Sequence, residues 1–88
     1  MREELFAQYG AIRETIFTNI QTIGKLIKQA ESLKEIVGKI TDNIEIKTSL
    51  ESQIKQIEET IKSLIQQTDR LFDSYNEFVK KVFEQNNG

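Results

Sequence analysis

Apolar residues recur along the chain at alternating spacings of three and four, the pattern of helices that pack along a heptad seam. In the first half the a and d positions hold Leu5, Tyr9, Ile12, Ile16, Asn19, Ile23, Leu26, Ala30, Leu33, Val37 and Ile40. A second series holds Leu50, Ile54, Ile57, Ile61, Leu64, Thr68, Leu71, Tyr75, Phe78 and Val82. Extending the first series past Ile44 would place Lys47 and Glu51 in the core, so two helices in separate registers are predicted.

The segment between the two series, VGKITDNIE, carries signals for a turn. Gly38 can end a helix in the left-handed conformation, and Asp42 with Glu45 three residues later is typical of a capping box. We predict one helical-hairpin domain over 1–88, with helix 1 at about 3–37, a turn at about 38–42 and helix 2 at about 43–84. The alternative is one continuous helix with a shifted heptad phase, which would form a long parallel coiled coil.

Residues placed symmetrically about the turn favour the hairpin. Folding back pairs large side chains along the seam, namely Leu33 with Leu50, Ile23 with Ile61 and Tyr9 with Tyr75. It also brings a lysine-rich stretch, 24–39, beside an acidic one, 42–59, although each surface ion pair contributes only about 0.2–1 kcal/mol. The predicted fold class is therefore all-α, an antiparallel hairpin of two long helices.

A second apolar stripe runs beside the seam, at the heptad e positions. In an antiparallel pair the e positions of both helices lie on the same side. Six apolar residues at these positions form one continuous patch, called the apolar flank below: Phe6, Ile20, Ile27, Ile65, Phe72 and Val79. Burying one such side chain is worth about 1.5–3 kcal/mol. An exposed flank of this kind predicts association with another helix.

Glycines and a phenylalanine extend the stripe to the b positions of helix 1. Gly10, Gly24 and Gly38 recur every two heptads, with Phe17 between the first two. A missing side chain lets a neighbouring helix approach closely, which can offset the roughly 1 kcal/mol that an interior glycine costs a helix. A wide stripe is also ordinary for a bundle helix, so both interpretations stay open. The predicted protein interface comprises Phe6, Gly10, Phe17, Ile20, Gly24, Ile27, Ile65, Phe72 and Val79.

Two polar residues, Asn19 and Thr68, interrupt the seam. A buried Asn can fix register or oligomer order in a coiled coil at a cost in stability, and Asn19 can meet its copy in a dimer. Alternatively, the Asn19 side chain lies at the edge of the seam and bonds to water or to a Gln or Thr on the g side.

Composition narrows the function classes. The 88 residues include no Cys and no His, so disulfide, thiolate and ordinary zinc chemistry are missing, and we predict no enzyme activity, no cofactor and no metal site. Burial against another chain is then the remaining way to supplement a small core. A net charge of -2 with interspersed signs disfavours nucleic acid. The short apolar runs and the polar N-terminus MREELFAQYG predict a cytoplasmic protein without membrane contact.

Together these features predict a non-enzymatic protein-binding module. It is a self-associating hairpin that forms a homodimer, a four-helix bundle of coiled-coil type, and acts as a scaffold, adaptor or small chaperone. The alternative is a subunit or inhibitor that packs on an unrelated helical partner. A further alternative is a hairpin dimer that binds RNA or DNA through its lysines.

Overall fold

The computed structural model describes the backbone of residues 2–87 and the side chains of residues 3–84. Within that range the chain forms two helices and no strand: α1 spans Arg2–Lys39 and α2 spans Ile44–Asn87. The two helices pack against each other as a hairpin with extents of 70 × 15 × 14 Å. The predicted all-α antiparallel hairpin is confirmed, and the alternative of one continuous helix is wrong.

The seam between the helices follows the predicted heptads. Every predicted a and d residue is buried or half-buried. The most buried apolar side chains are Ile16, Ala30 and Ile54, which are 5 to 7% exposed. Each helix thus contributes one stripe to the seam, which is what a heptad repeat of large apolar residues imposes on a pair of helices.

The turn lies at residues 40–43, later than predicted. Gly38 is inside α1, and no glycine in the described part of the chain has a positive φ, so its predicted left-handed conformation is wrong. The helix instead ends with a tighter bond, in which the Ile40 N–H donates to the Val37 carbonyl over 3.1 Å. This i→i+3 bond satisfies one of the carbonyls that a helix end leaves without a partner.

The cap of α2 is also displaced by one residue from the prediction. The side-chain oxygen of Asn43 accepts the Ile46 N–H at 3.1 Å, and the Asn43 carbonyl accepts the Lys47 N–H at 3.1 Å. Asp42 accepts a hydrogen bond from the Thr41 hydroxyl at 3.3 Å instead of capping the helix. Asn and Asp are equally good N-caps, so the residues alone could not distinguish the two positions.

An aromatic cluster closes the open end of the hairpin, where the pairing of Tyr9 with Tyr75 is confirmed. Their hydroxyls share a hydrogen bond of 2.7 Å, and their ring centroids lie 5.0 Å apart. The ring of Phe78 packs on Tyr9 with a centroid distance of 5.4 Å. Such tilted pairs stabilise a contact by about 0.5–1.5 kcal/mol beyond the area they bury.

Candidate protein-binding surface

The apolar flank is largely open to solvent in the hairpin. Six of the nine predicted interface residues are large apolar side chains that remain 42 to 62% exposed: Phe6, Phe17, Ile20, Ile27, Ile65 and Phe72. Gly24 is exposed as well, whereas Gly10 and Val79 are half-buried. The hairpin therefore covers its seam and leaves the second stripe mostly bare.

Contacts between the helices show that their e positions lie on the same side. At the open end, Phe6 from α1 and Val79 from α2 line one small hollow of about 110 Å³. Nearer the turn, the Lys34 ammonium lies 3.9 Å from a Glu58 carboxylate oxygen, and both residues occupy e positions. The two rows of the flank thus form one surface along the hairpin.

A wider hollow of about 840 Å³ opens on the side of α1 next to the flank. Its lining includes Gly10, Phe17 and Ile20. A Cβ atom at Gly10, Gly24 or Gly38 would meet nothing within 4 Å. Nothing in the hairpin itself therefore requires glycine at these positions.

The row of e positions that contains the flank changes from apolar to charged along the hairpin. On α1 these positions are apolar as far as Ile27, apart from Arg13, and Lys34 follows. On α2 they are apolar from Val79 to Ile65, then charged at Glu58 and Glu51, and apolar again at Ile44, the first residue of the helix. The ion pair between Lys34 and Glu58 is more than half exposed, so solvent and salt screen it. The charged part thus has opposite signs on the two helices.

Sequence reasoning missed a second group of exposed apolar residues near the turn. Ile36, Ile44 and Ile46 are 48, 80 and 51% exposed. Ile36 occupies a g position, on the side opposite the flank, and the other two lie just after the turn. The sequence did contain a signal for them, because all three are large apolar residues outside the a and d positions of the seam.

The two polar residues of the seam, Thr68 and Asn19, differ in their hydrogen bonding. The Thr68 hydroxyl donates to the Leu64 carbonyl of its own helix at 2.7 Å. The Asn19 side-chain nitrogen is buried and has no hydrogen-bond partner among the described residues, so no Gln or Thr on the g side accepts from it, and the predicted bond to water stays a prediction. Meeting a copy of Asn19 across a dimer stays a prediction.

Within residues 3–84, no three Cys, His, Asp or Glu side chains converge as a metal site would require. Neither described helix contains an apolar stretch long enough to span a membrane. Comparison of the chain with models of known protein families, with curated proteins and with solved structures found no significant match.

Proposed function

We propose that the protein is a non-enzymatic protein-binding module whose apolar flank pairs with a second copy of the chain. The resulting four-helix bundle acts as a scaffold, an adaptor or a small chaperone. The observation that supports this proposal is the exposure of Phe6, Ile20 and Phe72, together with their neighbours on one side of the hairpin.

The total surface of the hairpin supports a need for a partner. Its accessible area is 7257 Å², whereas a compact protein of the same 10.2 kDa would expose about 5,300 Å². The difference, about 2,000 Å² for one chain, is more than the roughly 800 Å² that each partner buries in a standard protein interface. No described side chain is less than 2% exposed, so the seam alone makes only a shallow core.

The energy available on the flank is suited to reversible pairing. The large flank side chains are already about half covered, so each has about 1 kcal/mol left to gain from full burial. In a symmetric dimer both copies bury these side chains. The total burial free energy then falls within the range of roughly 4–15 kcal/mol that association costs. We therefore expect a dimer whose population depends on concentration.

A second candidate, packing on an unrelated helical partner, is favoured by one observation. The hollow around Gly10 and Phe17 is lined by α1 alone and extends beyond the six residues of the flank. A two-fold pair centred on the flank would leave part of this hollow unfilled. A bulky side chain of a different protein would fit it, because glycine leaves room there.

The test is molar mass by light scattering behind a sizing column at several concentrations. We expect a mass near twice 10.2 kDa at high concentration. Ile20→Glu should shift the chain to monomer because it places a charge in the middle of the flank. Ile36→Glu is the matched control, because Ile36 is similarly exposed on the same helix but on the opposite side, and it should leave the mass unchanged.

Two results would argue against self-association. A wild-type chain that stays monomeric at every concentration would contradict it and favour the unrelated partner. A dimer that survives Ile20→Glu with its helicity and mass intact would move the interface elsewhere, and loss of the dimer in Ile36→Glu alone would place it on the opposite side.

A further inference from the structure

We propose that the two copies pair with their turns at the same end, so that the two-fold axis runs along the bundle and α1 of each copy packs on α2 of the other. This inference rests on the self-association proposed above. It is drawn from the order of apolar and charged residues along the flank.

The height of each residue along the hairpin follows from the Tyr9–Tyr75 contact. Residues on the two helices lie at nearly the same height when their numbers add up to about 84, as 9 and 75 do, because both helices rise about 1.5 Å per residue. From the open end as far as Lys34, the e positions therefore form five levels: Phe6 with Val79, Arg13 with Phe72, Ile20 with Ile65, Ile27 with Glu58, and Lys34 with Glu51; Ile44 lies beyond them at the turn.

Pairing with the turns together brings identical levels of the two copies into contact. Phe6 of each copy then meets Val79 of the other, and Ile20 meets Ile65, whereas Ile27 faces Glu58. At the turn end, Lys34 of each copy faces Glu51 and Glu58 of the other, which is complementary in charge. Arg13 faces the Phe72 ring of the other copy, where a guanidinium can stack on the aromatic face.

Pairing with the turns at opposite ends loses this match. With the hairpins fully overlapped, the two-fold axis sets Glu51 and Glu58 of each copy against Phe72 and Val79 of the other. Carboxylates would then be covered by apolar side chains, which is unfavourable without a charged partner. Sliding the copies apart aligns the apolar levels but leaves Lys34 and both glutamates without a facing copy and shortens the overlap.

The arrangement is tested by a distance between spin labels in the dimer. The chain contains no cysteine, so Thr41→Cys in the exposed turn gives one label per copy. With the turns together, the two labels lie within about 30 Å, because neighbouring helix axes in a bundle are 8–10 Å apart and each label arm adds several ångströms. With the turns at opposite ends, they lie about 60 Å or more apart, since roughly 40 residues of rise separate them.

A charge reversal provides an independent test by light scattering or sedimentation. Lys34→Glu should weaken the dimer about three- to thirtyfold, because two exposed ion pairs per dimer become repulsive. Lys28→Glu makes the same charge change at an exposed f position of the same helix and should leave the dissociation constant within about twofold of the wild-type value.

The outcomes separate the two proposals. A dimer with short turn-to-turn distances, weakened only by Lys34→Glu, supports the arrangement. A dimer with long distances, or one equally affected by both charge reversals, overturns the arrangement while self-association stands. A monomer at all concentrations overturns both.

Discussion

The amide of Asn19 occupies a seam position, and its nitrogen has no hydrogen-bond partner in the part of the chain that the structure describes. A buried polar group left unpaired costs about 1–3 kcal/mol. We predict that Asn19→Leu raises the free energy of unfolding by at least about 1 kcal/mol, measured by urea denaturation at fixed protein concentration.

The control for this substitution is Gln21→Leu, which replaces an exposed amide on the same helix. It should change the free energy of unfolding by less than about 0.5 kcal/mol. If Asn19→Leu destabilises the protein, Asn19 has a partner outside the hairpin, as a dimer-specific contact would provide.

The paired hydroxyls of Tyr9 and Tyr75 make stability sensitive to alkaline pH. The hydrogen bond that Tyr75 shares with Tyr9 is the main cause that raises the pKa of Tyr75; burial and charge on Tyr9 add to it, and Arg13 opposes it. A raised pKa means that the unfolded chain loses this proton first. The stabilising effect is therefore complete below the ordinary tyrosine pKa of about 10 and is lost as pH rises through the folded-state value.

We predict that wild-type stability falls more steeply above about pH 10 than that of Tyr9→Phe, which lacks the shared bond. Thermal unfolding followed by circular dichroism across this range measures the difference, and tyrosinate absorbance reports the titration itself. Parallel stability curves for the two proteins would show that the bond does not hold the Tyr75 proton.

At the scale of the helices, the heptad pattern was enough to predict both helices and their register. A residue such as Ile54 has one favourable place, the seam, because its large side chain repeats with its neighbours every 3.5 residues on average. The turn was predicted less accurately because its signals are degenerate. Asp42 and Asn43 are adjacent residues of equal capping strength, and Gly38 can adopt a helical conformation as well as a left-handed one.

The observed cap leads to a prediction for the start of α2. Asn43→Ala removes the acceptor of the Ile46 N–H and should lower the free energy of unfolding by about 0.5–2 kcal/mol. Asp42→Ala, one residue earlier, should change it by less than about 0.5 kcal/mol, because the Asp42 side chain bonds only to the exposed Thr41 hydroxyl. Chemical denaturation of both variants checks the assignment, and a larger loss in Asp42→Ala would restore the capping box.

At the scale of the whole molecule, the sequence placed the apolar residues of the flank on one side of the hairpin because heptad geometry alone determines which positions adjoin. It did not reveal the exposure of Ile36, Ile44 and Ile46, because a heptad position outside the seam does not determine how much of a side chain the other helix covers. The degree of exposure of the flank, such as the 62% of Phe6, also required the structure.

Gly24 connects the stability of the hairpin with its pairing. A Cβ at this position meets nothing within the hairpin, so Gly24→Ala should raise the helix stability of the monomer by about 0.5–1 kcal/mol. If another helix approaches closely there, the same change should weaken the dimer. Gly38→Ala, beyond the apolar levels, is the control and should leave dimer affinity unchanged. Denaturation and light scattering together measure both effects.

If Gly24→Ala leaves the dimer affinity unchanged, the glycine spacing plays no part in pairing. The wide stripe is then the ordinary one of a helix in a bundle. The apolar flank would still be tested separately through Ile20.

The hydrogen bond between Tyr9 and Tyr75 joins residues 66 positions apart, whereas contacts next to the turn join near neighbours in the chain. Closing a long loop costs more entropy than closing a short one, so we expect the hairpin to form from the turn and to open first at the aromatic end. That end also carries most of the apolar flank. A second chain bound there would hold shut the part that frays most readily, and slow amide exchange around Tyr9 would then report binding rather than folding.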